Sequence, residues 1–324
     1  MPHAIRFHQT GGPEVLRWEE VTVGEPGPGE ARVRHGAVGL NFIDIYHRTG
    51  LYPMPLPSGI GLEGAGTVEA VGPGVTLVAP GDRVAYAGGP LGAYSEARLI
   101  PADRLVKLPD SLSFETGAAM MLQGLTAAYL LRRTYRVQAG DTVLIHAAAG
   151  GVGLIACQWA KALGARVIGT VSTEAKAALA QAHGCDHPIL YTQENFAARV
   201  REITGGEGVP VVYDGIGKDT FSGSLDSLRP MGTRVSFGNA SGPVGLIDPL
   251  ILSQKGSLFF TRPTLMHYTA KRADLEALAA ELMGVVTSGQ VRIEVNQTFA
   301  LREAAAAQTA LESRQTTGST VLLP

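Results

Sequence analysis

Cysteine is nearly absent from this chain: Cys157 and Cys185 are the only two in 324 residues. They allow one bridge at most, so a disulfide framework is excluded, and a structural zinc on four cysteines is arithmetically impossible. Such sparse usage predicts a reducing, cytoplasmic home. Long apolar runs are missing as well. No stretch of 18 apolar residues is available to span a membrane, and the opening MPHAIRFHQTGGPEV lacks the apolar core of a secretory signal. Nor is there excess charge: a formal net charge of −2 gives no electrostatic reason to expect nucleic acid. The eight histidines form no helical H-x-x-x-H pair of the kind that grips a metal.

Glycine is what the chain has in abundance. Its 41 glycines are about one residue in eight, against about 7% in an average protein. They follow no fixed period, which excludes collagen-like and low-complexity readings and leaves many tight turns. In the first 120 or so residues, ARVRHGAVGL, GAGTVEAVGPGV and GDRVAYAG read as short strands bounded by Gly, Pro or Asp breakers. SFETGAAMMLQGLTAAYLLRRT then reads as a long apolar helix.

From residue 141 the pattern becomes regular. TVLIHA, RVIGTV, DHPILY, PVVYDGI, TRVSFG and SLFFTR are six β-rich runs, with helical segments such as EAKAALAQAH and ENFAARVREIT between most of them. Alternating β and α with nearly continuous apolar strands predicts an α/β, doubly wound, parallel six-stranded sheet of the Rossmann type. The tail predicts two helices, ADLEALAAELMGVVTSG and LREAAAAQTALES, and a last strand, STVLLP. That strand needs a partner sheet. The first domain is a candidate, which would make that domain discontinuous.

The loop HAAAGGVGLIACQWAKALGARVIGT, between the first two of the six strands, carries a dinucleotide fingerprint with one change. Ala148 stands where G-x-G-x-x-G has its first glycine, Gly150 is the second and Gly153 the third. Gly150 would let the backbone approach a pyrophosphate, and Gly153 would allow close helix–strand contact. The phosphate would then rest on free N–H groups at the helix start. Ala148 is tolerable there if its φ stays negative. Val152, Ile155, Ala156, Trp159 and Leu163 predict a single apolar stripe on the following helix. His146 reads as a local hydrogen-bonding residue rather than a ligand.

An NAD-preferring site places a carboxylate about 20 residues further on, at the ribose 2′-hydroxyl. This chain offers Thr170, Val171, Ser172 and Thr173, followed by Lys176. Hydroxyls and an ammonium would bind a 2′-phosphate that a carboxylate would repel, so the expected cofactor is NADPH.

With these motifs in place, the chain resembles the zinc-independent, zeta-crystallin-like NADPH-dependent quinone oxidoreductases of the medium-chain dehydrogenase/reductase superfamily. The resemblance extends through NFIDIYHRTGLYP, PSGIGLEGAGTVEAVGPGV, GDRVAY, VVYDGIG, VSFGNASGPV and QKGSLFFTRPTL, covering nearly the whole chain. It implies a GroES-like β domain from residues 1–122 and 265–324, a Rossmann domain from 123–264, and a cleft between them. It also implies a homodimer with SLFFT as the edge strand. Cofactor contacts are implied at Asn41, Phe42, Ile43, Asp44, Tyr46, Thr126, Tyr129, Gly151 and Val152. Others are implied at Ser172, Lys176, Tyr191, Gly215, Phe237, Gly238, Asn239, Ala240 and Arg314. Lys176, Tyr191 and Arg314 would form the 2′-phosphate pocket.

The superfamily's alcohol dehydrogenases hold a catalytic zinc in part through the His of a G-H-E-x-x-G motif. Here the stretch is Gly61-Leu62-Glu63-Gly64-Ala65-Gly66, with Leu62 in place of the imidazole. Without a Lewis acid the substrate must accept hydride unaided, as quinones, enones and enals do. Asn41, Tyr46 and Tyr52 are the candidates beside the reacting ring. A conjugated-alkene (2-alkenal) reductase is the alternative enzyme. A weakly catalytic NADPH- or RNA-binding module is the alternative from another class.

Overall fold

Short strands closed by Gly and Pro turns fill the N-terminal part of the structure, a computed structural model that describes residues 1–324. β1 (His3–Phe7), β2 (Arg17–Glu20) and β3 (Glu30–Leu40) precede helix α1 (Phe42–Thr49). β4 (Ser58–Gly59), β5 (Glu63–Val71), β6 (Arg83–Ala87), β7 (Ala97–Pro101), β8 (Val106–Lys107) and helix α2 (Phe114–Tyr129) follow. The apolar run that predicted α2 continues through Thr134, where residues 130–134 form a π-type turn closed by the Tyr135 N–H on the Leu130 carbonyl.

Next comes the regular part: β9 (Thr142–Ile145), α3 (Gly151–Ala162), β10 (Arg166–Val171), α4 (Glu174–Ala182), β11 (His187–Leu190) and α5 (Phe196–Ile203). It continues with β12 (Val209–Asp214), α6 (Phe221–Ser227), β13 (Leu228–Ser236), α7 (Leu250–Gln254) and β14 (Phe259–Thr261). The chain ends with α8 (Leu265–Tyr268), α9 (Arg272–Thr287), β15 (Val295–Ala300), α10 (Ala304–Glu312) and β16 (Ser319–Leu323). No helix is long and apolar enough to cross a membrane.

Two units emerge. The first comprises Met1–Leu125, Thr269–Met283 and Ile293–Pro324; the second comprises Thr126–Tyr268 and Gly284–Arg292. The division expected from sequence differs chiefly in residues 284–292, which group with the second unit. A reciprocal amide contact ties their end there: Gln158 donates to the Arg292 carbonyl and the Arg292 N–H donates to Gln158, each at 2.9 Å.

Within the first unit one sheet runs β15-β16-β3-β5-β6-β8, with β7 also on β3, and a small sheet runs β2-β1-β4. The C-terminal strand β16 pairs antiparallel with β3, Thr320 opposite Leu40 and Leu322 opposite Val38. This unit is therefore built from both ends of the chain, as a GroES-like domain is. Its core joins Phe7, Val33, Val38, Ile60 and Tyr94 to Leu301, Ala304 and Leu322.

In the second unit the sheet order is β11-β10-β9-β12-β13-β14, every pair parallel. β10 and β12 are buried nearly throughout, which explains their unbroken apolar sequences. β9 feeds β10 on one side and has β12 on the other, so the winding direction reverses between β9 and β12. Ligands of open α/β sheets bind at the carboxyl ends of the strands at such a reversal.

Candidate cofactor site and the α1 cluster

The loop after β9 keeps Ala148 out of the positive-φ region, as its place in the fingerprint requires. The positive φ falls on its neighbour Ala147, at 52°. Ala148 is instead accommodated sideways. A Cβ on Gly169 of β10 would lie 2.6 Å from the Ala148 methyl and 2.7 Å from Cys185 Sγ, so Gly169 supplies the space that the missing loop glycine would have given. Gly153 meets the close approach assigned to it, since a Cβ there would fall 2.2 Å from the Ala147 carbonyl oxygen and 2.8 Å from Ala148 backbone atoms. Gly150 caps α3 at φ −82° and ψ 175°. The first-turn N–H groups of α3, which have no intrahelical acceptor, therefore open at the carboxyl end of β9. These features fit a dinucleotide pyrophosphate.

The predicted single stripe on α3 is a correction: residues 153–160 are all buried, so the helix is covered almost all round. Contacts on its outer side, including the Gln158–Arg292 pair, account for the difference.

Ser172 follows β10 and is half-buried, and Thr173 caps α4, its hydroxyl accepting the Lys176 N–H at 3.3 Å. Lys176 thus sits in the first turn of α4, where the helix dipole already concentrates positive charge. Tyr191, 40% exposed, follows β11, and its N–H bonds the Val171 carbonyl. Gly215 follows β12 and Phe237, Gly238, Asn239 and Ala240 follow β13. The two loops are laced together: Ala240 N–H donates to Gly215 O at 3.2 Å and Ser241 N–H to Ile216 O at 2.8 Å. So Gly150–Gly153, Ser172, Thr173, Lys176, Tyr191, Gly215 and residues 237–240 gather along the carboxyl edge of one sheet.

Others stand apart. Thr126 and Tyr129 are buried on α2, with the Tyr129 ring stacked on Tyr268 at 4.5 Å. Arg314 belongs to the first unit, at φ 59° beyond α10.

Asn41, Phe42, Ile43, Asp44 and Tyr46 open helix α1 in the first unit. The Asn41 N–H donates to Asp44 Oδ2 at 2.9 Å, which fixes the first turn of the helix. The Asn41 side chain is 5% exposed and bonded at both ends, donating to Glu63 Oε2 at 2.6 Å and accepting from Gln123 Nε2 at 3.1 Å. Ser319 on β16 in turn donates to Gln123 Oε1 at 2.7 Å. These partners, Glu63, Gln123 and Ser319, carried no signal in sequence beyond the glutamate that follows Leu62. Tyr46 and Tyr52 pack edge to face at 5.2 Å, with Phe42 against Tyr46 and His47 against Tyr52.

Burial pushes the Asp44 carboxyl up to about 7 and the Glu63 carboxyl up to about 8, despite the hydrogen bonds each accepts. A group whose folded pKa is raised stabilises the fold below its unfolded value and loses that contribution as pH climbs to the folded value. Thermal stability is therefore expected to fall between about pH 5 and pH 8, by roughly 1.4 kcal/mol per pH unit for each carboxyl at most. Glu63→Gln should flatten the upper part of this curve in melting experiments. An unchanged slope would remove Glu63 from the explanation.

The donors do not suit zinc. Leu62 is buried at the histidine position, both cysteines are buried and free in the second unit, and no group of three His, Cys, Asp or Glu side chains is arranged to hold a metal. His183 and His187, four residues apart, fall on the end of α4 and the start of β11.

Comparison with known proteins agrees with this architecture. Residues 27–110 match the alcohol dehydrogenase GroES-like domain family, and residues 151–283 match the zinc-binding dehydrogenase family. A quinone oxidoreductase of Pseudomonas aeruginosa is 59% identical over 325 residues, covering 100% of both chains. A 2-haloacrylate reductase of Burkholderia is 51% identical, covering 100% of this chain and 99% of its own. The crystal structure of Escherichia coli quinone oxidoreductase complexed with NADPH is 50% identical, with a TM-score of 0.98 over 99% of this chain and 100% of the other. Identity at this level along the full length, on a shared GroES-like and Rossmann framework, settles the kinship: the chain belongs to the quinone oxidoreductase family of the medium-chain dehydrogenase/reductases.

Proposed function

We propose that the protein binds NADPH along the carboxyl edge of the parallel sheet and reduces quinones. The observation that carries this reading is local. At the end of β10, where an NAD site has its carboxylate, stand Ser172, Thr173 and the first-turn Lys176, beside a glycine loop that fits a pyrophosphate. The relatives named quinone oxidoreductase, one of them complexed with NADPH, support the same cofactor and acceptor. Bound there, NADPH supplies the hydride. The task left to the chain is orientation, which is where most acceleration in such a reaction arises.

Residues 41–46 are proposed to flank the nicotinamide, and Tyr46 and Tyr52 to receive the acceptor ring. With both ends of its amide bonded inside the protein, Asn41 serves better to hold α1 than to meet a reactant. Tyr52 is the more exposed of the two tyrosines and the better stacking surface. A hydroquinone anion takes its proton from water, so no dedicated acid is required. Tyr52→Ala is expected to raise KM for 1,4-benzoquinone roughly three- to tenfold, the scale of one aromatic contact, and to leave KM for NADPH unchanged. Tyr52→Phe and Tyr46→Phe should keep full kcat; loss of kcat in either would assign that hydroxyl an acid role.

The 51% identical 2-haloacrylate reductase favours a second reading, hydride transfer to an activated carbon–carbon double bond. Turnover of a 2-alkenal faster than that of a benzoquinone, both with NADPH, would select it. We further propose a cytoplasmic homodimer joined through the edge strand β14. Exposed Phe259 on that strand, and Met231 and Leu250 near it in sequence or sheet order, supply apolar surface for this.

A further inference from the structure

The reversal between β9 and β12 is underlain by a buried polar network that belongs to none of the expected contacts. Asp214, the last residue of β12, is fully buried and accepts five hydrogen bonds. Its Oδ1 takes the N–H groups of Ile216 at 2.8 Å and Gly217 at 3.0 Å. Its Oδ2 takes the hydroxyls of Thr220 at 2.7 Å and Ser224 at 2.9 Å, and Nη2 of Arg234 at 2.7 Å. Arg234 is itself fully buried, with its guanidinium carbon 4.9 Å from the centre of the Phe221 ring and 5.4 Å from that of Phe260 on β14. On the other side, His146 at the end of β9 reaches Ser224 Oγ at 3.0 Å and Thr170 Oγ1 at 2.8 Å.

The donors and acceptors order themselves. The single Ser224 proton goes to Asp214, so Ser224 accepts from His146 Nε2–H. Burial pushes His146 below its ordinary value, and in the neutral ring Nδ1 then accepts from the Thr170 hydroxyl. Burial alone would raise the Asp214 carboxyl. The positive Arg234 and the Thr220 and Gly217 donors hold it below its ordinary value instead. Asp214 is thus a carboxylate throughout the working range, tying together the ends of β9, β10, β12 and β13.

We propose that Asp214 is a positioning residue for the cofactor: its Oδ1 shapes the 215–217 loop, and through the bonds from that loop to residues 237–242 it sets the second loop as well. Asp214 touches no ligand in this account. It acts through Gly215 and residues 237–240, which sit where the sheet reversal puts a dinucleotide. Two loops held by one fixed acceptor present their backbone in a single arrangement, so binding does not have to order them.

The proposal rests on NADPH being the cofactor, and its test separates the two. Asp214→Ala/Arg234→Met removes the buried ion pair together with the Oδ1 acceptor. Asp214→Asn/Arg234→Met removes the same pair and keeps an oxygen for the loop N–H groups. Paired removal of both charges avoids an uncompensated buried ion. NADPH affinity is read by fluorescence titration, with KM for NADPH, KM for benzoquinone and melting temperature measured alongside. The Ala double variant is expected to bind NADPH about tenfold or more weakly, with KM for quinone unchanged, while the Asn double variant stays within about threefold of the parent. Equal NADPH affinity in the two doubles would overturn the proposal, whatever their melting temperatures. Failure of the parent protein to bind NADPH would overturn the cofactor assignment instead. If the doubles do not fold, Thr220→Val takes one donor from Asp214 and leaves the ion pair. An NADPH affinity about threefold weaker is then expected, and an unchanged affinity would contradict the role.

Discussion

Gly153→Ala is expected to weaken NADPH binding by at least about 100-fold, or about 2.7 kcal/mol, and to lower the melting temperature measurably. The added methyl carbon would lie 2.2 Å from the Ala147 carbonyl oxygen and 2.8 Å from Ala148 backbone atoms. Backbone at that distance has no rotamer into which it can escape, so α3 must move away from β9. Overpacking of this kind costs about 1–3 kcal/mol or more, and each kcal/mol lowers the melting temperature of a 150–250-residue unit by about 2–4 °C. Gly150→Ala is the informative control. Its Cβ meets only the Ala147 oxygen, at 3.2 Å, and its φ of −82° suits any residue. That variant should melt near the parent temperature and still bind NADPH less well, because the methyl stands where the pyrophosphate approaches. Equal stability losses at the two positions would contradict the division of roles between them.

Lys176→Ala should weaken NADPH roughly 10- to 100-fold while barely changing NADH, since one charge-assisted bond to a phosphate is worth about 1.5–3 kcal/mol. The first turn of a helix is an unfavourable place for a lysine unless an anion is to be met there. Thr173, whose hydroxyl accepts the Lys176 N–H, caps α4 and fixes the first turn that carries Lys176 at the end of β10. Fluorescence titration of both cofactors against parent and variant measures the ratio. Equal losses for NADPH and NADH would assign Lys176 to the folding of α4 instead.

Much of the second unit was legible in the sequence because its strands are covered on both faces. β10 and β12 must then be continuous apolar runs, and such runs separated by helices admit few topologies. The cofactor loop was legible for a related reason, since its steric demands fall on single glycines. Ala148 shows the limit of that reasoning. Gly169, which makes room for it, lies 21 residues away on the next strand and has no local mark. β15 was missed because VNQTFA is half polar and partly exposed, with no apolar alternation to announce it. Asp214, Thr170, Ser224 and Arg234 each have unremarkable neighbours, and only the winding of the sheet brings them around His146. The same holds for Asn41, whose partners Glu63, Gln123 and Ser319 come from three distant parts of the chain.

The central claim is that this fold delivers hydride from NADPH, rather than NADH, to a quinone. Steady-state oxidation of each cofactor by 1,4-benzoquinone tests it most directly, as the ratio of the two kcat/KM values. The 2′-phosphate site predicts a ratio of at least about 10 in favour of NADPH, abolished in Lys176→Ala. A ratio near one in the parent protein, or no quinone-dependent oxidation of either cofactor, would contradict it.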